Sequence, residues 1–294
     1  MPPNRARTRL WAVLGSVFVL LAAGAGYLVY HGIQRVPPPP PPPGCQAGTG
    51  VTAIGLETDQ AGIAATIAGV AARRRLPQRA VTIAFAAALQ ESDLHNLHYG
   101  DRDSVGVFQQ RPSQGWGTTA EIEDPVYATT RFFAALVKVR NYTKIPIDKA
   151  AQDVQRSADG YAYEQWVAVA TLLTNYFTGS WPHGVSCWYT PPHAAADLTG
   201  AVREMALTFG PRGEKDVIVS ATTDRSAKNK SREAVVQAKR SSAWTVAGWL
   251  VAHAQEYGLS QVRYAGYEWT AADGSMGWQP DVGPRSARDS IVAG

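Results

Sequence analysis

The sequence predicts a mostly α-helical domain that follows an N-terminal transmembrane helix and a proline-rich linker and precedes a small α/β module. Three observations carry this prediction. An uncharged, largely apolar run occupies residues 11–30, and seven consecutive prolines occupy 37–43. Between residues 55 and 209 the apolar residues recur at the three- and four-residue spacing of helices, whereas convincing strand-like runs begin beyond residue 215.

The N-terminal 35 residues are predicted to anchor the protein in a membrane. As a helix, the run 11–30 would span ~30 Å, the thickness of one bilayer core. Arg5, Arg7 and Arg9 precede it without any acid, and such basic flanks remain in the cytoplasm. We therefore expect a single-pass membrane protein with a cytoplasmic N-terminus and extracytoplasmic main domains. The alternative is a secreted protein, because Ala-Gly-Ala at 23–25 resembles a signal-peptide cleavage site.

Residues 36–44 form the predicted linker. Consecutive prolines favour a polyproline II rod of ~3.1 Å per residue, or roughly 20 Å in all. The chain has 28 Lys plus Arg and 24 Asp plus Glu, and residues 1–35 hold four arginines and no acid. Without those four, the remaining chain carries 24 basic and 24 acidic residues. The net charge of +4 therefore belongs to the N-terminal segment, and we expect no nucleic-acid partner.

The two cysteines, Cys45 and Cys187, are predicted to form a disulfide. An even pair in an exported protein is typical of a cross-link. It would close a loop of about 140 residues, for which the chain-entropy model gives ~4–5 kcal/mol. The alternative is a pair of free, buried thiols.

The predicted helical domain covers residues 45–209. Its first helix begins near Thr58 and ends before Pro77, which cannot continue a helix. Asp124 is a predicted N-cap, because Pro125 follows it at the first helical position. Further helices are expected at 81–89, with Glu91 at the C-terminal end, and at 126–137, 158–177 and 194–207. Within this domain we expect only short strand pieces, near residues 105–109.

The predicted α/β module covers residues 210–282, after a Gly- and Pro-containing linker at 209–213. A strand is expected at 216–222 and an amphipathic helix at 242–257. Short strands are expected at 261–264, 267–269 and 277–278. The tail 283–294 is predicted to be disordered.

A nearly pure apolar run at 81–89 ends abruptly in Gln90, Glu91 and Ser92. A helix with this pattern is buried almost all round, so Glu91 lies at the edge of a core. Desolvation there favours the neutral form of a carboxyl group, which is the form that a general acid needs. The alternative is a solvated glutamate at a helix terminus.

The residues after Glu91 make the pattern more specific. Glu91-Ser92, a polar loop, Gly106-x-x-Gln109 and Pro112 resemble the lysozyme-like superfamily, in particular its soluble lytic transglycosylase and goose-type lysozyme branch. The resemblance covers about residues 55–180. It implies a lysozyme-like domain in which Glu91 is the catalytic acid and the segment from Gly106 to Gln109 lines a sugar groove.

Further site residues follow from the resemblance and from the aromatic content. The resemblance implies that Ser92, Gln109 and a tyrosine, for which Tyr176 is the candidate, position the substrate. Trp116 stands between two glycines in a polar loop, and sugar rings stack on exposed aromatic faces. It is therefore a predicted substrate-binding residue.

Asp101 and Asp103 are candidates for a second catalytic carboxylate. Most glycoside hydrolases need an acid together with a base or nucleophile. Each aspartate is also what a polar turn requires, and that structural role is the alternative. His95 and His98 lie at metal-ligand spacing, but no third nitrogen or sulfur ligand is nearby. We therefore predict no metal and no cofactor.

These observations predict a membrane-anchored, extracytoplasmic enzyme that cleaves the glycan strand of peptidoglycan. Glu91 would act alone as acid and base, and the resemblance implies anhydro-sugar ends rather than reducing ends. The alternative is a non-catalytic peptidoglycan-binding or scaffold protein of a cell-envelope secretion or conjugation complex, which the additional α/β module favours. Glycan strands are the expected partner in both cases.

Overall fold

A computed structural model describes residues 5–34, 41–155, 162–190, 195–210, 217–224, 233–281 and 290–294. The chain divides into two compact units, Met1–Pro42 and Pro43–Gly294. The first unit contains helix α1 (Arg5–Gln34). Residues 36–40 of the predicted linker lie outside the described ranges.

Among the described residues, no helix is both long and apolar enough to cross a membrane. The prediction of an N-terminal transmembrane helix is therefore wrong, and so is the prediction of a single-pass membrane protein that rested on it.

The second unit combines helices with two antiparallel sheets. Its helices are α2 (Thr58–Arg73), α3 (Gln78–Ser92), α4 (Thr119–Ile122), α5 (Pro125–Leu136), α6 (Ile147–Gln155), α7 (Val167–Phe177), α8 (Leu198–Phe209), α9 (Ala243–Ala252) and α10 (Ala254–Tyr257). Its strands are β1 (Gly44–Ala47), β2 (Ile54–Leu56), β3 (Val185–Trp188), β4 (Ile218–Asp224), β5 (Glu233–Ala238), β6 (Gln261–Tyr264), β7 (Tyr267–Thr270), β8 (Gln279–Pro280) and β9 (Ser290–Ala293).

The first sheet has the strand order β2-β1-β3. Cys45 of β1 is paired in register with Cys187 of β3, and the two side chains form a disulfide. The predicted cross-link is thereby confirmed. Both sulfurs are buried, so the bond lies within the core. It joins two strands of the first sheet that are 142 residues apart in sequence.

The second sheet has the strand order β4-β5-β9-β6-β7-β8. Strand β9 lies in its middle, paired with β5 on one side and β6 on the other. Ile291 and Ala293 are completely buried there. The predicted disordered tail 283–294 therefore ends in a central strand, and that prediction is wrong for residues 290–293.

Helices α2 and α3 make most of the helix–helix contacts in this unit. Helix α3 packs against α6 and α7, and α2 packs against α5 and α9. Helix α9 also contacts β3 of the first sheet and β6 and β9 of the second. Burial of apolar side chains between these elements is the main force that holds them together. The C-terminal part is thus joined to the helical part by a shared core.

Hydrogen bonds reinforce that shared core. The indole nitrogens of Trp269 and Trp278 donate to the carbonyl oxygens of Cys187 and Val185, each at 2.8 Å. The Ser186 hydroxyl donates to the Gly274 carbonyl oxygen at 2.6 Å. All three bonds connect β3 with the C-terminal part of the chain.

The fold class therefore differs from the predicted mostly α domain with a separate small α/β module. About half of the molecule is helical, and two antiparallel sheets accompany the helices. Strands β1, β2 and β3 have three or four residues each, too few to show a two-residue alternation. Strands β1 and β2 are neighbours in sequence, but β3, the other partner of β1, lies about 140 residues further along the chain.

Candidate active site

Helix α3 delivers Glu91 to the edge of the core. The helix is buried from Ala80 to Leu89, because almost all of these side chains are apolar. Asp93 and Leu94 then take left-handed backbone angles, with φ of 52° and 62°. Two successive residues in this conformation end the helix abruptly. Glu91 is therefore in the last helical turn, where its side chain is half-buried.

A tyrosine holds one oxygen of the Glu91 carboxyl group. The hydroxyl of Tyr163 donates a hydrogen bond to Glu91 Oε1 at 2.7 Å. Tyr163 is 1% exposed, so its hydroxyl has a fixed position. Among the described residues, Glu91 Oε2 has no hydrogen-bond partner. One carboxyl oxygen is therefore oriented by the protein, and the other is available to a ligand.

The segment that carries Tyr163 is tied to the same end of α3. The indole nitrogen of Trp166 donates to the side-chain oxygen of Gln90 at 2.8 Å. The side-chain amide of Gln165 donates to that oxygen at 3.1 Å. Of the predicted helix 158–177, residues 158–161 lie outside the described ranges, and the 3₁₀ turn Glu164–Trp166 leads into α7. This turn is what places Tyr163 beside Glu91.

Tyr176, the predicted positioning tyrosine, lies elsewhere. Helix α7 runs antiparallel to α3, because Trp166 meets Gln90 whereas Thr174 meets Thr82 at 2.9 Å. Thr82 and Glu91 are nine residues apart in α3, which corresponds to roughly 14 Å along the helix. Tyr176 packs edge-on against Trp181 at this far end. In the part of the chain that the structure describes, Tyr163 and not Tyr176 donates a hydrogen bond to Glu91.

Ser92 fixes the following loop to α3. Its hydroxyl donates to the carbonyl oxygen of Val107 at 2.7 Å and lies 3.1 Å from that of Ala88. Ser92 is 7% exposed, so this contact between α3 and the loop is buried. Ser92 therefore has a structural contact in the described part of the chain, and its predicted contact with substrate stays a prediction.

The Gly106–Gln109 turn has a backbone that demands glycine. Gly106 has a φ of +78°, and a Cβ atom there would lie 2.7 Å from the carbonyl oxygen of Ile122. Gln109 has a φ of 45°. Its side-chain amide donates to the carbonyl oxygens of Tyr99 and Gly106, each at 3.2 Å. In this structure the Gln109 amide nitrogen therefore organises its own loop.

The two candidate second carboxylates differ in their environments. Asp103 accepts hydrogen bonds from Arg111 Nε at 2.7 Å, from the Ser113 amide at 2.8 Å and from the Ser113 hydroxyl at 3.0 Å. The Ser113 amide first, and then the Arg111 guanidinium, hold the pKa of Asp103 well below its usual range. Asp101 is exposed, and its nearest ion partner is Arg102 at 3.9 Å.

Trp116 lies in a surface cleft whose lining does not include Glu91. Its half-buried side chain lines a cleft of about 530 Å³ between the 114–116 loop and helices α5 and α6. Two further clefts, of about 430 and 630 Å³, lie beside α2. Glu91 lines none of these three clefts.

The histidines that sequence spacing brings together have separate partners. His95 Nδ1 lies 2.7 Å from Asp59, and His98 Nδ1 lies 3.0 Å from Glu123. Glu57, Asp59 and His95 bring three potential ligand atoms within 4.8 Å of one another. Both acids are exposed, and Glu57 takes part in the capping box of α2. We therefore do not assign a metal site to these three residues.

Tyr163 is the site residue that sequence reasoning missed. It is 72 residues from Glu91 in sequence. The chain has many tyrosines, and no sequence pattern distinguishes Tyr163 from the others. Comparison with known proteins adds no family to this description. No protein-family model matches the chain, and no curated protein matches it significantly.

Proposed function

We propose that this protein cleaves the glycan strand of peptidoglycan, as a lytic transglycosylase or a lysozyme-type glycosidase. The observation that carries the proposal is the half-buried Glu91 carboxyl group with Tyr163 against one oxygen at 2.7 Å. A carboxyl group at a core edge with one oriented and one accessible oxygen suits general acid–base work. The resemblance of Glu91-Ser92, Gly106 and Gln109 to the lysozyme-like superfamily supports the same reaction.

The geometry assigns different tasks to the two carboxyl oxygens. Because Oε1 accepts the Tyr163 hydrogen bond, the acidic proton of Glu91 belongs on Oε2. Oε2 donates that proton to the glycosidic oxygen as the bond from the anomeric carbon to that oxygen breaks. Glu91 is then a carboxylate, and the hydrogen bond from Tyr163 stabilises its charge.

The same carboxylate completes the reaction. It takes the proton of the sugar's 6-hydroxyl group while that oxygen bonds to the anomeric carbon, which leaves an anhydro-sugar end. Hydrolysis would instead need a second carboxylate to activate water or trap the sugar. Asp103 is a poor candidate, since its oxygens are held by Arg111 and Ser113. Asp101 remains the candidate second carboxylate for a hydrolytic reaction.

A second candidate function is non-catalytic binding of peptidoglycan. Its supporting observation is that Gln109, a predicted groove residue, turns its amide nitrogen to its own loop. The clefts described above also lie away from Glu91. A protein of this kind would bind glycan through its surface without cleaving it.

The deciding experiment is wall digestion by the full chain and by Glu91→Gln. Glutamine keeps the size of the side chain but cannot donate a proton, so clearing of a wall suspension should fall about 100- to 10,000-fold. Glu164→Gln is the matched control, because Glu164 is an exposed acid in the neighbouring turn, and it should clear walls at the wild-type rate.

The possible results separate the two functions. Clearing by Glu91→Gln at the wild-type rate would remove Glu91 from the mechanism. A wild-type protein that sediments with walls without clearing them would establish the binding function instead. Mass spectrometry of the digest distinguishes the products, because hydrolytic ends are one water heavier than anhydro ends.

A further inference from the structure

The cleft beside Trp116 has the volume of a ligand site. Its volume of about 530 Å³ lies within the roughly 300–1,000 Å³ of small-molecule sites. One wall is the 114–116 loop, and the opposite walls are α5 with the turn that follows it and the C-terminal end of α6.

The charged lining of this cleft is mostly basic. Arg131, Lys138 and Arg140 line it together with one acid, Asp153. Asp153 forms an ion pair with Lys149 on the same helix, so its charge is already compensated. Basic side chains therefore outnumber acidic ones in the lining of the cleft.

Arg131 is held in place before any ligand arrives. Its Nε donates to the carbonyl oxygen of Trp116 at 3.1 Å, and its Nη2 donates to that of Gly115 at 3.0 Å. A guanidinium has five N–H donors, so three remain for a ligand. A pre-positioned guanidinium is well suited to carboxylate recognition.

The remaining lining is aromatic and aliphatic. Trp116 faces the cleft with a half-buried indole, and the small apolar side chains of Ala135, Val139 and Val154 complete the wall. An anion that fits here therefore also carries apolar groups.

The cleft shares its framework with Glu91. Gln155, the last residue of α6, donates from its side-chain amide to the carbonyl oxygen of Phe108 at 2.8 Å. Phe108 stacks on Phe132 of α5 at 4.4 Å. Phe108 also follows Val107, whose carbonyl oxygen accepts the Ser92 hydrogen bond. The loop that supports Glu91 thus contacts both helices of the cleft.

We propose that this cleft binds the carboxylate-bearing peptide that branches from the glycan strand. The identity of the ligand rests on the proposed function, since only a peptidoglycan substrate brings this peptide to the protein. Its carboxylates match Arg131 and Lys138, and its methyl groups match the indole of Trp116 and the valine wall. The cleft would hold the peptide while Glu91 acts on the strand.

The test is calorimetric titration of the full chain with N-acetylmuramyl-L-alanyl-D-glutamate. This probe has no glycosidic bond to cleave, so binding is measured independently of the reaction at Glu91. Lys138→Gln should weaken binding about 10- to 100-fold, which is the loss expected for one hydrogen bond to a charged group. Lys144→Gln, at an exposed lysine outside the cleft, is the matched control and should bind like the wild type.

Two further measurements make the result decisive. The diamide of the same probe, which lacks the carboxylates, should bind at least about 10-fold more weakly. The indole resonance of Trp116, assigned from Trp116→Phe, should shift on addition of the acidic probe. Equal affinity of Lys138→Gln and Lys144→Gln, equal affinity for the diamide, or tighter binding of inorganic phosphate than of the acidic probe would each overturn the proposal. Arg131→Gln is unsuitable as the deciding variant, because Arg131 also holds the 115–116 loop.

Discussion

At the scale of single residues, the contact between Tyr163 and Glu91 is the most informative. Hydrogen bonds to charged groups contribute roughly 1.5–3 kcal/mol. Tyr163→Phe removes the hydroxyl and keeps the ring, so we expect the fold to remain and kcat for wall cleavage to fall about 10- to 100-fold. Initial rates of wall clearing, together with unfolding midpoints, measure both effects.

Tyr176→Phe is the control for this prediction. Tyr176 packs against Trp181 at the opposite end of α3, so the rate should remain within about two-fold of wild type. If Tyr163→Phe left kcat unchanged, Tyr163 would be a packing residue and would not orient the carboxyl group of Glu91.

At the scale of elements, the contact of α9 with α2 predicts a pH-dependent stability. His253, at the C-terminal end of α9, stacks on Trp249 at 4.1 Å, and its Nε2 lies 3.5 Å from the Thr66 hydroxyl of α2. Burial lowers the pKa of His253 from 6.5 to about 4. Folding therefore favours the neutral imidazole, and the unfolded chain binds the extra proton between these two values.

The sign of the effect follows from this difference in pKa. The contribution of His253 to stability is complete above pH 6.5 and is lost as the pH falls from 6.5 towards 4. The loss should reach roughly 3 kcal/mol. Urea unfolding of the wild type and of His253→Gln across this range measures it, because the variant lacks the titrating ring. Parallel pH profiles for the two proteins would show that other groups govern the acid stability.

At the scale of the whole molecule, the disulfide and the central strand β9 join distant parts of the chain. The bond between Cys45 and Cys187 closes a loop whose ends are 142 residues apart, and β9 joins β5 to β6 in the second sheet. The double variant Cys45→Ala, Cys187→Ala should therefore lose about 5 kcal/mol of unfolding free energy in the chain-entropy model.

Urea unfolding with and without a reductant tests this value. The reductant should lower the midpoint of the wild type and leave that of the double variant unchanged. Equal midpoints for oxidised wild type and double variant would mean that the reduced, unfolded chain is already restricted in its conformations.

Several features could be predicted from the sequence because they depend on neighbours along the chain. The apolar run at 81–89 is sufficient to predict a buried helix, and the polar residues after it place Glu91 at the helix end. The Asp124-Pro125 pair predicts the start of α5, where the Asp124 carboxylate accepts hydrogen bonds from the amides of Val126 and Tyr127. Two cysteines leave one pairing within the chain. The helix and its N-cap depend on residues close together in sequence, and the two cysteines allow only one disulfide within the chain.

The tertiary structure decided what depends on partners distant in sequence. Tyr163 reaches Glu91 only because α7 packs antiparallel to α3, and none of several similar tyrosines is distinguished beforehand. Strand β9 is held by backbone pairing with β5 on one side and β6 on the other. Its four residues are too few to predict a strand from the alternation of apolar and polar side chains. The basic cleft exists because α5, α6 and the 114–116 loop converge. The spacing of apolar residues shows which face of a helix or strand is buried. It does not show which other element covers that face, because this depends on packing throughout the core.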